Sequence, residues 1–137
     1  MISDAHTNSR PQLIIADDDP VVRSSLSMLL GAEFDVVGVA RDSGEAIELA
    51  MESRPDAAIV DVDMPEGGGL RAVQGILDAA PDTAIVVLSG DESDAAVREL
   101  ILAGAMSYQR KGVERDLLAQ SLRDSISARA NARVEPV

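Results

Sequence analysis

The stretch Leu13-Ile14-Ile15-Ala16-Asp17-Asp18-Asp19-Pro20 decides the fold. Four apolar residues run without a polar break and then give way to three carboxylates and a proline. A parallel strand buried on both faces reads as such a continuous apolar run. Asp19 is best read as a helix N-cap, and Pro20 suits the first helical position. The octapeptide is therefore strand, acidic turn and helix start, with Asp17 and Asp18 left in the turn.

The same grammar recurs down the chain. Ala57-Ala58-Ile59-Val60 ends in Asp61-Val62-Asp63-Met64-Pro65, Ala84-Ile85-Val86-Val87-Leu88 ends in Ser89-Gly90, and Ala105 to Gln109 runs into Arg110-Lys111-Gly112. With a strand over about Phe34–Ala40, five strands are expected, at about 12–16, 34–40, 57–60, 84–88 and 105–109. Helical spacing fills the intervals. A helix from Pro20 to Gly31 carries Val22, Leu26 and Leu29-Leu30. A second, running to about Ser53, opens on the capping-box pattern Asp42-Ser43-Gly44-Glu45. A third follows Glu66-Gly67-Gly68-Gly69, with Leu70, Val73, Ile76 and Leu77 at helical spacing, and Pro81-Asp82 breaks it. A fourth has Asp91, Glu92 and Asp94 in its first turn, Val97, Leu100 and Ile101 on its buried face, and Gly104 at its end. The fifth spans about Glu114 to Arg129 with Leu118, Leu122 and Ile126 on one face. Strict alternation predicts an α/β fold: a flavodoxin-like (βα)5 three-layer sandwich around a five-stranded parallel sheet. Residues 1–11 read as a disordered leader, 12–129 as the domain and 130–137 as a disordered tail or linker.

Bulk composition narrows the function. The 137 residues hold 12 basic and 24 acidic side chains, for a formal net charge of −12. Neutralising nucleic-acid phosphates needs a basic patch, so direct nucleic-acid binding by this domain is not expected. Phe34 and Tyr108 are the only aromatic residues, too few for a base-stacking platform. There is no cysteine, which excludes disulfides and thiolate chemistry. No apolar run approaches membrane-spanning length, and the leader lacks the apolar centre of a signal peptide. A cytoplasmic location follows as the default.

Ligands of parallel sheets bind outside the carboxyl ends of the strands. Asp17, Asp18, Asp61, Ser89 and Lys111 all sit at such ends, so a crevice with carboxylates, a hydroxyl and an ammonium group is expected. Two carboxylates about 4 Å apart repel by roughly 4 kcal/mol at an effective dielectric near 20. A cation relieves that cost, and Mg²⁺, an oxygen-seeking ion commonly shared between carboxylates and phosphate, suits the set. Singly, each residue has a plainer reading. Asp17 and Asp18 serve as turn residues, Lys111 as an exposed cation, Ser89 as a helix cap and Tyr108 as an amphipathic edge-strand residue.

Taken in order, four motifs resemble the receiver domain of two-component response regulators over about residues 12–128. They are Ile14-Ile15-Ala16-Asp17-Asp18-Asp19-Pro20, Ile59-Val60-Asp61-Val62-Asp63-Met64-Pro65, Val87-Leu88-Ser89-Gly90, and Ala103-Gly104-Ala105 through Tyr108 to Lys111. The resemblance is to receivers that often precede LuxR-like helix-turn-helix domains. It implies that Asp61 is the phosphoacceptor, taking a phosphoryl group from a sensor histidine kinase or phosphotransfer protein. It also implies that Asp17, Asp18, Asp61 and the backbone carbonyl of Asp63 hold Mg²⁺. Ser89 and Lys111 would bind phosphoryl oxygens, and Ser89 and Tyr108 would couple as a switch acting on an output domain or protein. A homodimer is compatible with a module of this kind. Beyond self-catalysed phosphoryl uptake and autodephosphorylation, no enzyme activity is expected. Asp63 and Asp91, two residues after Asp61 and Ser89, are expected to flank the mouth where hydrolytic water enters.

Two departures stand out. Gly112 follows Lys111 where many relatives have proline, and Gly67-Gly68-Gly69 suggests a mobile loop beside the site. Two rival readings are a haloacid-dehalogenase-like Mg²⁺-dependent phosphatase, which would use Asp61 as nucleophile and Asp63 as acid, and a pseudo-receiver that binds partners without phosphorylation.

Overall fold

The computed structural model describes residues 9–90 and 94–133. Five strands, β1 (Gln12–Ala16), β2 (Asp35–Ala40), β3 (Ala57–Asp61), β4 (Ala84–Ser89) and β5 (Ser107–Arg110), form one parallel sheet in the order β2-β1-β3-β4-β5. Five helices connect or follow them: α1 (Pro20–Leu30), α2 (Ser43–Ser53), α3 (Gly68–Ala79), α4 (Asp94–Leu102) and α5 (Arg115–Arg133).

The period-2 pleat divides each apolar run between two cores. Leu13, Ile15, Ile59, Val86 and Leu88 pack with Leu26 and Leu30 of α1 and Leu118 and Leu122 of α5. Ile14, Ala16, Val60, Ile85 and Val87 pack on the opposite face with Ala46 and Ala50 of α2, Val73 and Ile76 of α3, and Val97 and Leu100 of α4. Burial on both faces is why β3 and β4 carry no polar residue before their last position.

Local signals explain the helix starts. The Asp19 carboxylate accepts from Val21 N, and Pro20 fills the first position. Asp42 accepts from Glu45 N while Glu45 accepts from Arg41 N, the reciprocal pattern of a capping box.

Several expectations need correction. Only Gly67 of Gly67-Gly68-Gly69 lies in the turn: Pro65–Gly67 is one 3-10 turn with Glu66 and Gly67 at positive φ, and Gly68 and Gly69 are buried in the first turn of α3. A Cβ at Gly69 would stand 2.9 Å from the Asp61 carbonyl oxygen and 2.8 Å from that of Val62. Close backbone approach is what requires this glycine. Leu29 and Ile101 are 47% and 36% exposed. Their neighbours Leu30 and Leu100 take the buried positions, because adjacent helical residues point about 100° apart. β5 begins two residues later than its apolar pattern suggests, at Ser107, and α5 continues past Arg129 to Arg133. Asp91 and Glu92 lie outside the described residues, which resume at Asp94 in α4.

Candidate functional site

Strand order reverses at β1, which lies between β2 and β3. The carboxyl ends of β1 and β3 therefore border the crevice where parallel sheets take ligands. Asp17 directly follows β1 and Asp61 ends β3, each only 1% exposed. Asp18, in the turn after Asp17, is exposed. One carboxylate oxygen from each of Asp17, Asp18 and Asp61 lies within 4.8 Å of the others. Sequence spacing between residues 18 and 61 could not give that distance; the pairing of β1 with β3, Ala16 opposite Val60, supplies it.

Hydrogen bonding uses one oxygen of each buried carboxylate and leaves the other. Asp17 Oδ1 accepts from Asp19 N at 2.9 Å, and Asp61 Oδ1 accepts from Asp63 N at 2.9 Å. Asp17 Oδ2 and Asp61 Oδ2 are buried without a hydrogen-bond partner among the described residues. Lys111 Nζ lies 3.2 Å from Asp61 Oδ1 and 3.5 Å from Asp17 Oδ2. The second distance is an ion-pair separation too long for a good hydrogen bond. Buried acceptors normally find partners, so two orphan oxygens facing one acidic cluster call for a ligand. Three hard oxygen donors of this kind fit a small divalent cation.

Electrostatics follow from burial. Desolvation pushes the Asp61 carboxyl up to about 6, with the Asp17 charge adding to the rise, while the Asp63 N–H and Lys111 pull the other way. Asp17 is raised for the same first reason, against the Asp19 N–H and Lys111. For Lys111, burial opposes its charge, but Asp61 and Asp17 together outweigh it and hold the ammonium above its ordinary range.

The remaining residues ring this centre. Ser89 ends β4 and is buried, its hydroxyl donating to the Gly90 carbonyl at 3.3 Å. Ser89 O accepts from Lys111 N at 2.8 Å, which ties the ends of β4 and β5 together. The exposed Asp63 accepts a long 3.4 Å bond from Gly90 N. Tyr108 lies opposite Val87 in the β4–β5 register and is 50% exposed. Gly112 has φ +89, a conformation closed to proline.

Two further contacts were not evident from the motifs. Arg23 Nη1 donates to the Asp17 carbonyl at 2.8 Å, and Arg110 Nη1 donates to the Gly90 carbonyl at 3.2 Å. Arg23 did carry a signal, since a cation near a helix N-terminus opposes the helix dipole and needs a local reason.

Residues 13–123 match the response regulator receiver domain family, and the chain belongs to it. The DNA-binding transcriptional activator DevR/DosR of Mycobacterium tuberculosis is 38% identical over 115 residues, covering 82% of this chain and 53% of that protein. The transcriptional regulatory protein YxjL of Bacillus subtilis is 38% identical over 128 residues, covering 92% and 56%. A LuxR-family two-component response regulator from Aurantimonas sp. SI85-9A1 superposes with a TM-score of 0.79 at 26% identity, covering 93% of this chain and all of that one. The chain spans about half the length of the curated relatives it matches. No helix among the described residues is long and apolar enough to cross a membrane.

Proposed function

We propose that this receiver domain accepts a phosphoryl group on Asp61 Oδ2 from a phosphohistidine of a sensor kinase or phosphotransfer protein. The observation that carries the reading is that Asp61 Oδ2 is buried without a hydrogen bond, beside an Asp17 Oδ2 that also lacks one and has only the 3.5 Å ion pair with Lys111. In the transfer, Asp61 Oδ2 forms the new bond to phosphorus as the phosphorus–nitrogen bond of the donor breaks. The electron pair leaves with the donor imidazole, which takes up a proton. Positioning and charge neutralisation are most of what such a step needs. Lys111, already paired with Asp61, moves its charge little to reach a phosphoryl oxygen. The Ser89 hydroxyl exchanges the Gly90 carbonyl for another phosphoryl oxygen.

Mg²⁺ would be held by Asp17, Asp18, Asp61 and the Asp63 carbonyl, and when bound it supplies charge neutralisation between carboxylates and phosphate. Family membership favours this reading over a haloacid-dehalogenase-like phosphatase, and the intact acidic set favours it over a pseudo-receiver. Asp63, at the mouth, tunes the lifetime of the acyl phosphate without being required for its formation. We extend the same role to Asp91, which lies outside the described residues. Output passes through Ser89 and Tyr108 to a partner protein or following domain. The module acts in the cytoplasm and does not itself contact nucleic acid.

Incubation with acetyl phosphate and Mg²⁺, read by intact mass, tests the assignment. One phosphoryl group should be gained, and none in excess chelator or in Asp61→Asn. Equal labelling of that variant would refute it.

A further inference from the structure

Asp17 and Asp61 are locked by their own hydrogen bonds, but Asp18 is not. Asp17 N donates to Ala40 O at 3.0 Å, Asp17 Oδ1 accepts from Asp19 N, and Asp17 O accepts from Arg23. Asp61 is held by Asp63 N and Lys111. Asp18 makes no hydrogen bond and no ion pair among the described residues, yet its carboxylate belongs to the three-oxygen cluster. Its position therefore depends on the peptide plane that precedes it. That plane carries the Asp17 carbonyl, which the half-buried Arg23 guanidinium holds at 2.8 Å.

The geometry points to Arg23 as a positioning residue for the metal centre: by pinning the Asp17 carbonyl it aims the otherwise unrestrained Asp18 carboxylate at the cation. This rests on the Mg²⁺ reading above. Two effects of Arg23 on a cation have opposite signs. Its charge repels a divalent ion, while its hydrogen bond orders a ligand. Groups that orient metal ligands are typically worth 10–100-fold in affinity. Three carboxylates surround the cation, so within the cluster they offset the repulsion from one guanidinium. Orientation therefore outweighs repulsion here.

A Mg²⁺ titration followed by backbone amide shifts of Asp17 to Asp19 tests this without any phosphorylation assay. Arg23→Met should weaken Mg²⁺ binding on the order of tenfold. Arg23→Lys, which keeps the charge but not the planar fork, should fall between it and wild type. The decisive comparison is a cycle with Asp18→Asn. If Arg23 acts through Asp18, Arg23→Met should change affinity little in the Asp18→Asn background. An equal loss in both backgrounds would show a general structural role and overturn the inference. Tighter Mg²⁺ binding by Arg23→Met would overturn it too, leaving Arg23 as a repelling charge. Absence of Mg²⁺ binding in the wild-type protein would instead sink the metal reading itself.

Discussion

Lys111 Nζ stands 3.2 Å from Asp61 Oδ1, and the same ammonium lies 3.5 Å from Asp17 Oδ2. One partly exposed lysine thus answers two buried carboxylates. Lys111→Met should destabilise the metal-free protein at pH 7.5 by about 2 kcal/mol. That is less than the 3–5 kcal/mol typical of breaking a fully buried pair, because Lys111 is 31% exposed. The loss should shrink at pH 5, where Asp61 is largely protonated. Urea unfolding at the two pH values checks this, and an equal loss at both would count against the electrostatic account.

Asp61 makes the metal-free fold pH-sensitive in an unusual direction. Its carboxyl titrates near 6 in the native state against a reference of 3.8. Between those values the native state binds more protons than the unfolded chain, so stability falls as pH rises. The penalty is absent below about pH 4 and complete above about pH 7, and it amounts to at most about 3 kcal/mol. Other carboxylates titrate over the same range, so the measurement is a difference. Chelator-treated wild type should lose stability relative to Asp61→Asn as pH rises from 5 to 7.5. A constant difference would exclude a raised Asp61.

Gly69 tests the packing that holds Asp61 in place. Its missing Cβ lies against two backbone carbonyls, which cannot rotate away as a side chain can. Gly69→Ala should cost about 1–3 kcal/mol and displace the Asp61 carbonyl. Gly44→Ala, in the first turn of α2, would place its Cβ 3.5 Å from Asp42 Oδ1, an ordinary contact. It should be neutral or stabilising by about 0.5 kcal/mol. Denaturant midpoints of the two variants should move in different directions or by clearly different amounts.

The Ser89 hydroxyl is engaged by Gly90 O, and Tyr108 is half exposed. Phosphorylation should shift a balance between two conformations of this pair rather than create a new one. Beryllofluoride with Mg²⁺ should therefore perturb amide signals at Ser89, Gly90, Tyr108 and along α4. Tyr108→Ala should still be labelled at Asp61 while losing partner response. Spectral changes confined to Asp17, Asp18 and Asp61 would show that the site is not coupled to β5.

The strand ends were legible in the sequence because burial on both faces of a parallel sheet leaves an unbroken apolar run, and the first polar residue marks where the sheet ends. Asp17, Asp61 and Ser89 were identified in that way. The helix starts were legible because capping is local: Asp19 and Asp42 bond to amides two or three residues on. What the sequence could not determine was everything that depends on a distance between segments. The orphan oxygens of Asp17 and Asp61 arise from the β1–β3 register. Gly69 reads as a loop glycine until the backbone of Asp61 and Val62 is seen against it. Leu29 and Ile101 have the same chemistry as the core residues beside them, and only the packing of α1 and α4 on the sheet decides which member of each pair is buried. Arg23 hints at a local role, but its partner is known only once the turn after β1 is folded, because a long side chain on a helix can reach several carbonyls and tertiary geometry selects one.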